Sequence, residues 1–157
     1  MGLMQGDLFG AQESRQTLGP GAMLLRGFAL AQAAELLAAV QQITSQAPFR
    51  HLVTPGGLTM SVAMTNCGEF GWVSGRQGYQ YVKNDPESDR PWPAMPTLFS
   101  QISKRAAAAA GFPDFSSDAC LVNRYQPGAK MSLHQDRNER DFAHPIVSLS
   151  LGLPAVF

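Results

Sequence analysis

His134 and Asp136 stand two residues apart in His134-Gln135-Asp136. An imidazole nitrogen with a carboxylate oxygen is a donor pair that suits a divalent metal such as Fe(II). On an extended strand, residues i and i+2 leave the same face, so the two side chains would emerge together and could fill adjacent coordination positions. The same triplet also fits an exposed His and Asp at a strand end. Asn123 and Tyr125 share parity on the preceding segment. An amide and a phenol there can hydrogen-bond an acid or keto-acid beside the metal, or can present a polar strand face to water. Trp72, Tyr79 and Tyr81 are interleaved with Gly68, Gly71, Gly75 and Gly78. Aromatic rings on such a backbone suit stacking on a planar ligand such as a nucleobase, and they suit equally a small apolar cluster under a loop. Cys67 and Cys120 read as ordinary thiols. The chain shows no Ser-His-Asp order, phosphate-cradling glycine loop or paired-cysteine motif.

These residues need elements to position them. Residues 1–20 carry no sustained period and are expected to form a loose arm. Leu30 to Gln46 reads as an amphipathic helix, with Leu30, Ala33, Leu37, Val40 and Ile43 at helical spacing, stopped by Pro48. Thr54-Pro55-Gly56-Gly57 is a turn. Thr59 to Thr65 alternates as a strand with Met60, Val62 and Met64 on its core face. The glycine-rich stretch Cys67 to Val82 is a β-hairpin or flap, and the proline-rich Asn84 to Pro96 a surface loop. Pro96 to Ala110 is a second helix with Gly111 at its C-terminal cap. Ala119 to Tyr125 alternates, Gln126-Pro127-Gly128-Ala129 turns the chain, and Lys130 to Asp136 continues extended. A charged loop, Arg137 to His144, leads to Ile146–Leu153, whose period of two predicts a terminal strand. The whole is an α+β chain, mainly β in its C-terminal half.

The chain has 157 residues, which suits one domain with one core. Its 12 Lys and Arg balance its 12 Asp and Glu, so nonspecific attraction to phosphate is not its main device. Two cysteines are too few for a disulfide scaffold. No stretch approaches the roughly 18 apolar residues of a membrane span, and no secretion signal is visible. A cytoplasmic protein with no membrane association and no obligate protein partner is expected. The apolar, β-prone end at Pro154 to Phe157 reads either as a strand tucked into a sheet or as a chain cut short inside its fold.

Read together, these segments resemble the AlkB family of Fe(II)/2-oxoglutarate-dependent dioxygenases. The likeness rests on VTPGG from Val53, TMSVAMTNCG from Thr59, PWPAMP from Pro91, AAGFPDF from Ala109, DACLVNRYQPGAKMSLHQD from Asp118 and PIVSLSLGLPAVF from Pro145. It implies a double-stranded β-helix, or jelly roll, preceded by a nucleotide-recognition lid, with one dioxygenase domain over residues 21–157. By the same resemblance, His134 and Asp136 would be two of three iron ligands, and Asn123, Arg124 and Tyr125 would contact 2-oxoglutarate. Trp72 would stack on a flipped damaged base, and Tyr79, Gln80 and Tyr81 would hold the nucleic-acid backbone. The implied reaction uses Fe(II), 2-oxoglutarate and O2 to remove N-methyl groups from 1-methyladenine or 3-methylcytosine in single-stranded or damaged DNA, or in RNA, as formaldehyde. The family's second iron histidine and its 2-oxoglutarate-binding arginines fall beyond Phe157, so the 157-residue chain is expected to be inactive alone. Asn138 stands where the bacterial relatives carry a carboxylate beside the base. Two further readings are a hydroxylase acting on RNA or protein, and a non-catalytic module for single-stranded nucleic acid.

Overall fold

The computed structural model describes residues 14–134, 136 and 139–153. The chain begins with strand β1 (Ser14–Gly19), which reverses at Pro20-Gly21 into β2 (Ala22–Arg26) as an antiparallel pair. Residues 14–20 were expected in a loose arm, and the hairpin corrects that expectation. β1 is exposed along nearly its whole length, so it has no apolar face to produce an alternating signal; its ladder to β2 holds it.

A 3₁₀ turn (Leu30–Gln32) leads into helix α1 (Ala33–Gln46), matching the expected span. Its buried face centres on Leu36 and Ile43, while Leu30 and Leu37 point to solvent. The apolar stripe is therefore rotated from the one the spacing suggests. Leu36 packs with Ala29 and with Ile102 of helix α2 (Thr97–Ala109), and Phe28, Leu98, Phe99 and Leu151 close around them. Pro96 precedes α2 and Gly111, at φ +96°, ends it.

Beyond α1 the chain enters β3 (Arg50–Val53), turns at Thr54–Gly57 and returns as β4 (Thr59–Gly68). β4 lies between β3 and β7 (Ala119–Arg124) in an antiparallel sheet of order β3-β4-β7. This central place explains why Val62 to Cys67 are all buried; both faces are covered, and the expected alternation survives only in the strand's outer half. Thr65 ties helix to sheet, its hydroxyl donating to the Ala47 carbonyl at the end of α1 over 2.7 Å. Cys67 and Cys120 are directly opposed across β4 and β7 as free thiols. Contact with Cys120, and then burial, raises the Cys67 thiol pKa; the Cys67 hydrogen bond lowers that of Cys120.

A separate antiparallel hairpin, β5 (Gly71–Gly75) and β6 (Gly78–Val82), forms the expected flap. Among the described residues the strands concentrate before Val82 and only β7 follows, which corrects the expectation of a mainly β C-terminal half. Lys130–Asp136 and Ile146–Leu153 carry strand-like sequence, yet no ladder forms along either among the described residues. A strand requires a partner backbone, and alternation cannot supply one. The three sheets have two, three and two strands, and no closed barrel is formed by the described residues.

Candidate active site

The flap is held from beneath by buried polar groups. Asn66, on buried β4, donates from Nδ2 to the Trp72 carbonyl at 2.9 Å and accepts from the Trp72 amide at 2.9 Å. One side chain thus satisfies both backbone groups of Trp72. Trp92 donates from its indole to the Val82 carbonyl at 3.0 Å. Gly71 lies so close to Trp92 that an added Cβ would stand 2.3 Å from the indole ring. Ser74 donates to the Val53 carbonyl of β3 at 2.6 Å. The loop after the flap is pinned by Asp85, whose buried carboxylate takes both Arg50 Nη groups and also accepts from the Glu87 amide and the Ser88 hydroxyl. The Arg50 hydrogen bonds hold the Asp85 carboxyl down at about 2. None of Asn66, Arg50, Asp85 or Trp92 was singled out from the sequence. The available signals were an Asn within the strand Thr59–Gly68 and a lone Asp before a proline.

On this braced hairpin Trp72 and Tyr79 stack, with ring centroids 5.2 Å apart and planes 17° from parallel. Trp72 pairs with Tyr81, and Ser74 with Tyr79, across the ladder, so these side chains share a face and Val73 and Gln80 take the other. Trp72 is half-buried, while Tyr79 and Gln80 are exposed. Both sequence readings of the aromatics therefore have a counterpart: the rings form a cluster, and the cluster has an open edge.

After β7 the chain turns at Gln126–Ala129 and is tethered to β4 where Ser61 Oγ donates to the Lys130 carbonyl at 3.0 Å and accepts from its amide at 3.1 Å. His134 and Asp136 follow. The expected strand does not carry them, yet they meet: His134 Nε2 and Asp136 Oδ1 are 3.6 Å apart, with side chains 53% and 55% exposed. His134 Nδ1 lies 2.9 Å from the Ser132 carbonyl. A carbonyl only accepts, so Nδ1 is the donor to it, and this bond turns Nε2 towards Asp136. A divalent ion fits these two donors. Among the described residues no group of three His, Cys, Asp or Glu is assembled.

The other residues with expected roles are dispersed. Asn123 and Tyr125 are exposed near the end of β7. The Arg124 guanidinium covers the Phe49 ring at 4.6 Å, a cation–π contact on the opposite parity of the strand from Asn123. Asn138 lies outside the described residues. His51 Nδ1 is spent on the Met60 carbonyl at 2.9 Å, and His144 on Asp141 at 2.8 Å. A cleft of about 120 Å³ behind the flap is lined by residues including Arg50, Asn66, Trp72 and Trp92; neither His134 nor Asp136 reaches it.

Flap and loop are joined by one contact that the sequence did not disclose. The Tyr81 hydroxyl donates to Glu139 Oε1 at 2.7 Å. Burial, then the Glu139 carboxylate, and then the charges of Asp136 and Asp118 raise the Tyr81 pKa above its ordinary value. The aromatic pair and the His-Asp pair thus belong to one neighbourhood.

The family model described as the 2OG-Fe(II) oxygenase superfamily matches residues 21–157. Over 152 residues the chain is 57% identical to the alpha-ketoglutarate-dependent dioxygenase AlkB of Escherichia coli (strain K12), covering 96% of this chain and 70% of that protein. The chain belongs to the AlkB family of 2OG-Fe(II) oxygenases. It is also 55% identical to the AlkB dioxygenase of Salmonella typhimurium over the same shares. It is 33% identical to the human nucleic acid dioxygenase ALKBH1, over 55% of this chain and 22% of that protein. AlkB-family membership brings Fe(II), 2-oxoglutarate and O2 as cofactor and co-substrates. No helix among the described residues is long and apolar enough to cross a membrane.

Proposed function

We propose that this AlkB-family protein removes N-methyl groups from nucleic-acid bases, acting on 1-methyladenine and 3-methylcytosine in single-stranded or damaged DNA, with RNA as the competing substrate. The observation that carries the reading is the stacked, open-edged Trp72–Tyr79 pair, linked through Tyr81 and Glu139 to the loop that presents His134 and Asp136. The methylated atoms lie on the Watson–Crick edge and are hidden inside a duplex, so the base must leave its stack and find another. Trp72 provides that surface, and a methylated ring is cationic, which the indole face and the nearby Asp136 and Glu139 carboxylates favour. Tyr79, Gln80 and Tyr81 run along the adjoining nucleic-acid backbone, and Asn138 sits beside the base.

His134 and Asp136 hold the metal, the Ser132 carbonyl fixing the imidazole so that Nε2 is the donor. Asn123, Arg124 and Tyr125 hold 2-oxoglutarate. Fe(II) held there would couple O2 to 2-oxoglutarate, which would lose carbon dioxide and become succinate with one oxygen atom, while the other oxygen atom would go to the methyl group. The resulting hydroxymethyl group leaves the ring nitrogen as formaldehyde. Residues 21–157 form one dioxygenase domain of jelly-roll type with the flap as its nucleotide-recognition lid, a reading supported by the span of the family match. The chain is read as cytoplasmic, in line with its having two cysteines and no disulfide-scaffold pattern.

The test is binding of a single strand carrying one 3-methylcytosine, as DNA and as RNA, by fluorescence anisotropy. Trp72→Ala should weaken it by about 1–3 kcal/mol, the worth of one base–aromatic stack. An unchanged affinity would refute the reading.

A further inference from the structure

Tyr81 belongs to the flap, but its hydroxyl is directed away from the ladder. It pairs across β5 and β6 with Trp72, and its O–H reaches 2.7 Å to Glu139 Oε1, three residues past Asp136. Every other tie on the flap described above, from Asn66, Ser74 and Trp92, runs to the scaffold beneath it. The loop in turn has little backbone support: His134 and Asp136 are half exposed and belong to no ladder. A phenol donating to a carboxylate is a charge-assisted bond, short and directional, suited to fixing one segment against another.

We propose that Glu139 is a positioning residue. It accepts the Tyr81 hydroxyl and fixes the flap against the loop that carries His134 and Asp136, so that the Trp72–Tyr79 stack is presented at a set distance from the metal ligands. The role rests on the base-demethylase reading for its consequence, but the strut itself is testable without it. Burial and the adjacent carboxylate keep Tyr81 in its protonated, donating form. Tyr81 thereby serves two partners, the nucleic-acid backbone at its ring and Glu139 at its hydroxyl.

Amide hydrogen exchange followed by mass spectrometry reads the strut directly in the free protein. Tyr81→Phe and Glu139→Ala should each raise exchange across residues 78–82 about tenfold, while peptides from β4 stay protected. Glu139→Gln keeps an oxygen acceptor and should restore protection. The double variant Tyr81→Phe with Glu139→Ala should match either single variant, because one bond cannot be broken twice. Binding of the 3-methylcytosine strand should weaken about fivefold in Tyr81→Phe and Glu139→Ala, with Mn(II) affinity unchanged. Additive exchange effects, or no change at residues 78–82, would overturn the proposal. Loss of Mn(II) affinity in Glu139→Ala as large as in His134→Ala would also overturn it, by making Glu139 a ligand. A wild-type protein that fails to distinguish the methylated strand would refute the demethylase reading, while the exchange result would still decide the strut.

Discussion

The flap and the loop that carries His134 and Asp136 meet at Tyr81 and Glu139, and they are built by opposite means. The flap is a five-pair ladder whose Trp72 is clasped by buried Asn66, whose Gly71 is pressed against Trp92, and whose following loop is locked by the Arg50–Asp85 pair. The loop from Lys130 onward has no ladder among the described residues; a tether to Ser61 and a carbonyl behind His134 position it. The difference separates two jobs. A surface that receives a base must keep its shape without the base, and buried polar bonds give it that. On the proposed reading, a His-Asp pair that receives a cation must stay accessible, and the half-exposed loop leaves it so.

Stability should therefore respond strongly to changes under the flap and weakly to changes in the loop. The largest effect is expected at Asp85. Asp85→Ala strands the part-buried Arg50 guanidinium and leaves the Glu87 amide and Ser88 hydroxyl without their acceptor, and should cost about 3 kcal/mol in urea unfolding. The same pair sets an acid limit. The Asp85 carboxyl is lowered from 3.8 to about 2, so its contribution is complete above the unfolded value and is lost as pH falls through the folded one. Wild type should shed about 2 kcal/mol between roughly pH 4 and pH 2 that an Asp85→Asn variant does not.

A middle effect belongs to Gly71. Its added Cβ would enter the Trp92 ring, which is itself held by the Val82 carbonyl, so Gly71→Ala should destabilise by about 2 kcal/mol. Near-ultraviolet circular dichroism should show the Trp92 environment altered. A neutral result would mean that the flap is looser than its ladder implies.

The smallest effect is expected in the loop. His134→Ala should leave the unfolding free energy within about 0.5 kcal/mol of wild type, because its side chain is half exposed and, among the described residues, meets the Ser132 carbonyl and Asp136. A large loss would place His134 in the structure rather than in the chemistry.

The contrast also explains what the sequence could disclose. The flap was legible because glycines and alternating aromatics are local signals, and α1, α2, β4 and β7 were legible from period and caps. Its braces were not. Asn66 and Asp85 gain meaning only when folding buries them beside Trp72 and Arg50, and nothing in either residue type announces burial. Lys130–Asp136 and Ile146–Leu153 misled in the other direction: alternation predicts strands, but a strand exists only where another backbone accepts its bonds. His134 and Asp136 nonetheless meet as their spacing suggested, because a two-residue separation can bring side chains together on a loop as well as on a strand. Glu139 escaped notice because its partner Tyr81 lies 58 residues away in sequence.

The central claim is that His134 and Asp136 receive a divalent ion beside the flap. Mn(II) added to isotope-labelled protein broadens the nuclear magnetic resonance signals of nearby groups, and reads this claim without depending on turnover. Broadening should centre on residues 132–139, extend to Tyr81 and spare β1 and β2, and His134→Ala should abolish it. Broadening centred instead on His144 and Asp141, or persisting in His134→Ala, would contradict the account.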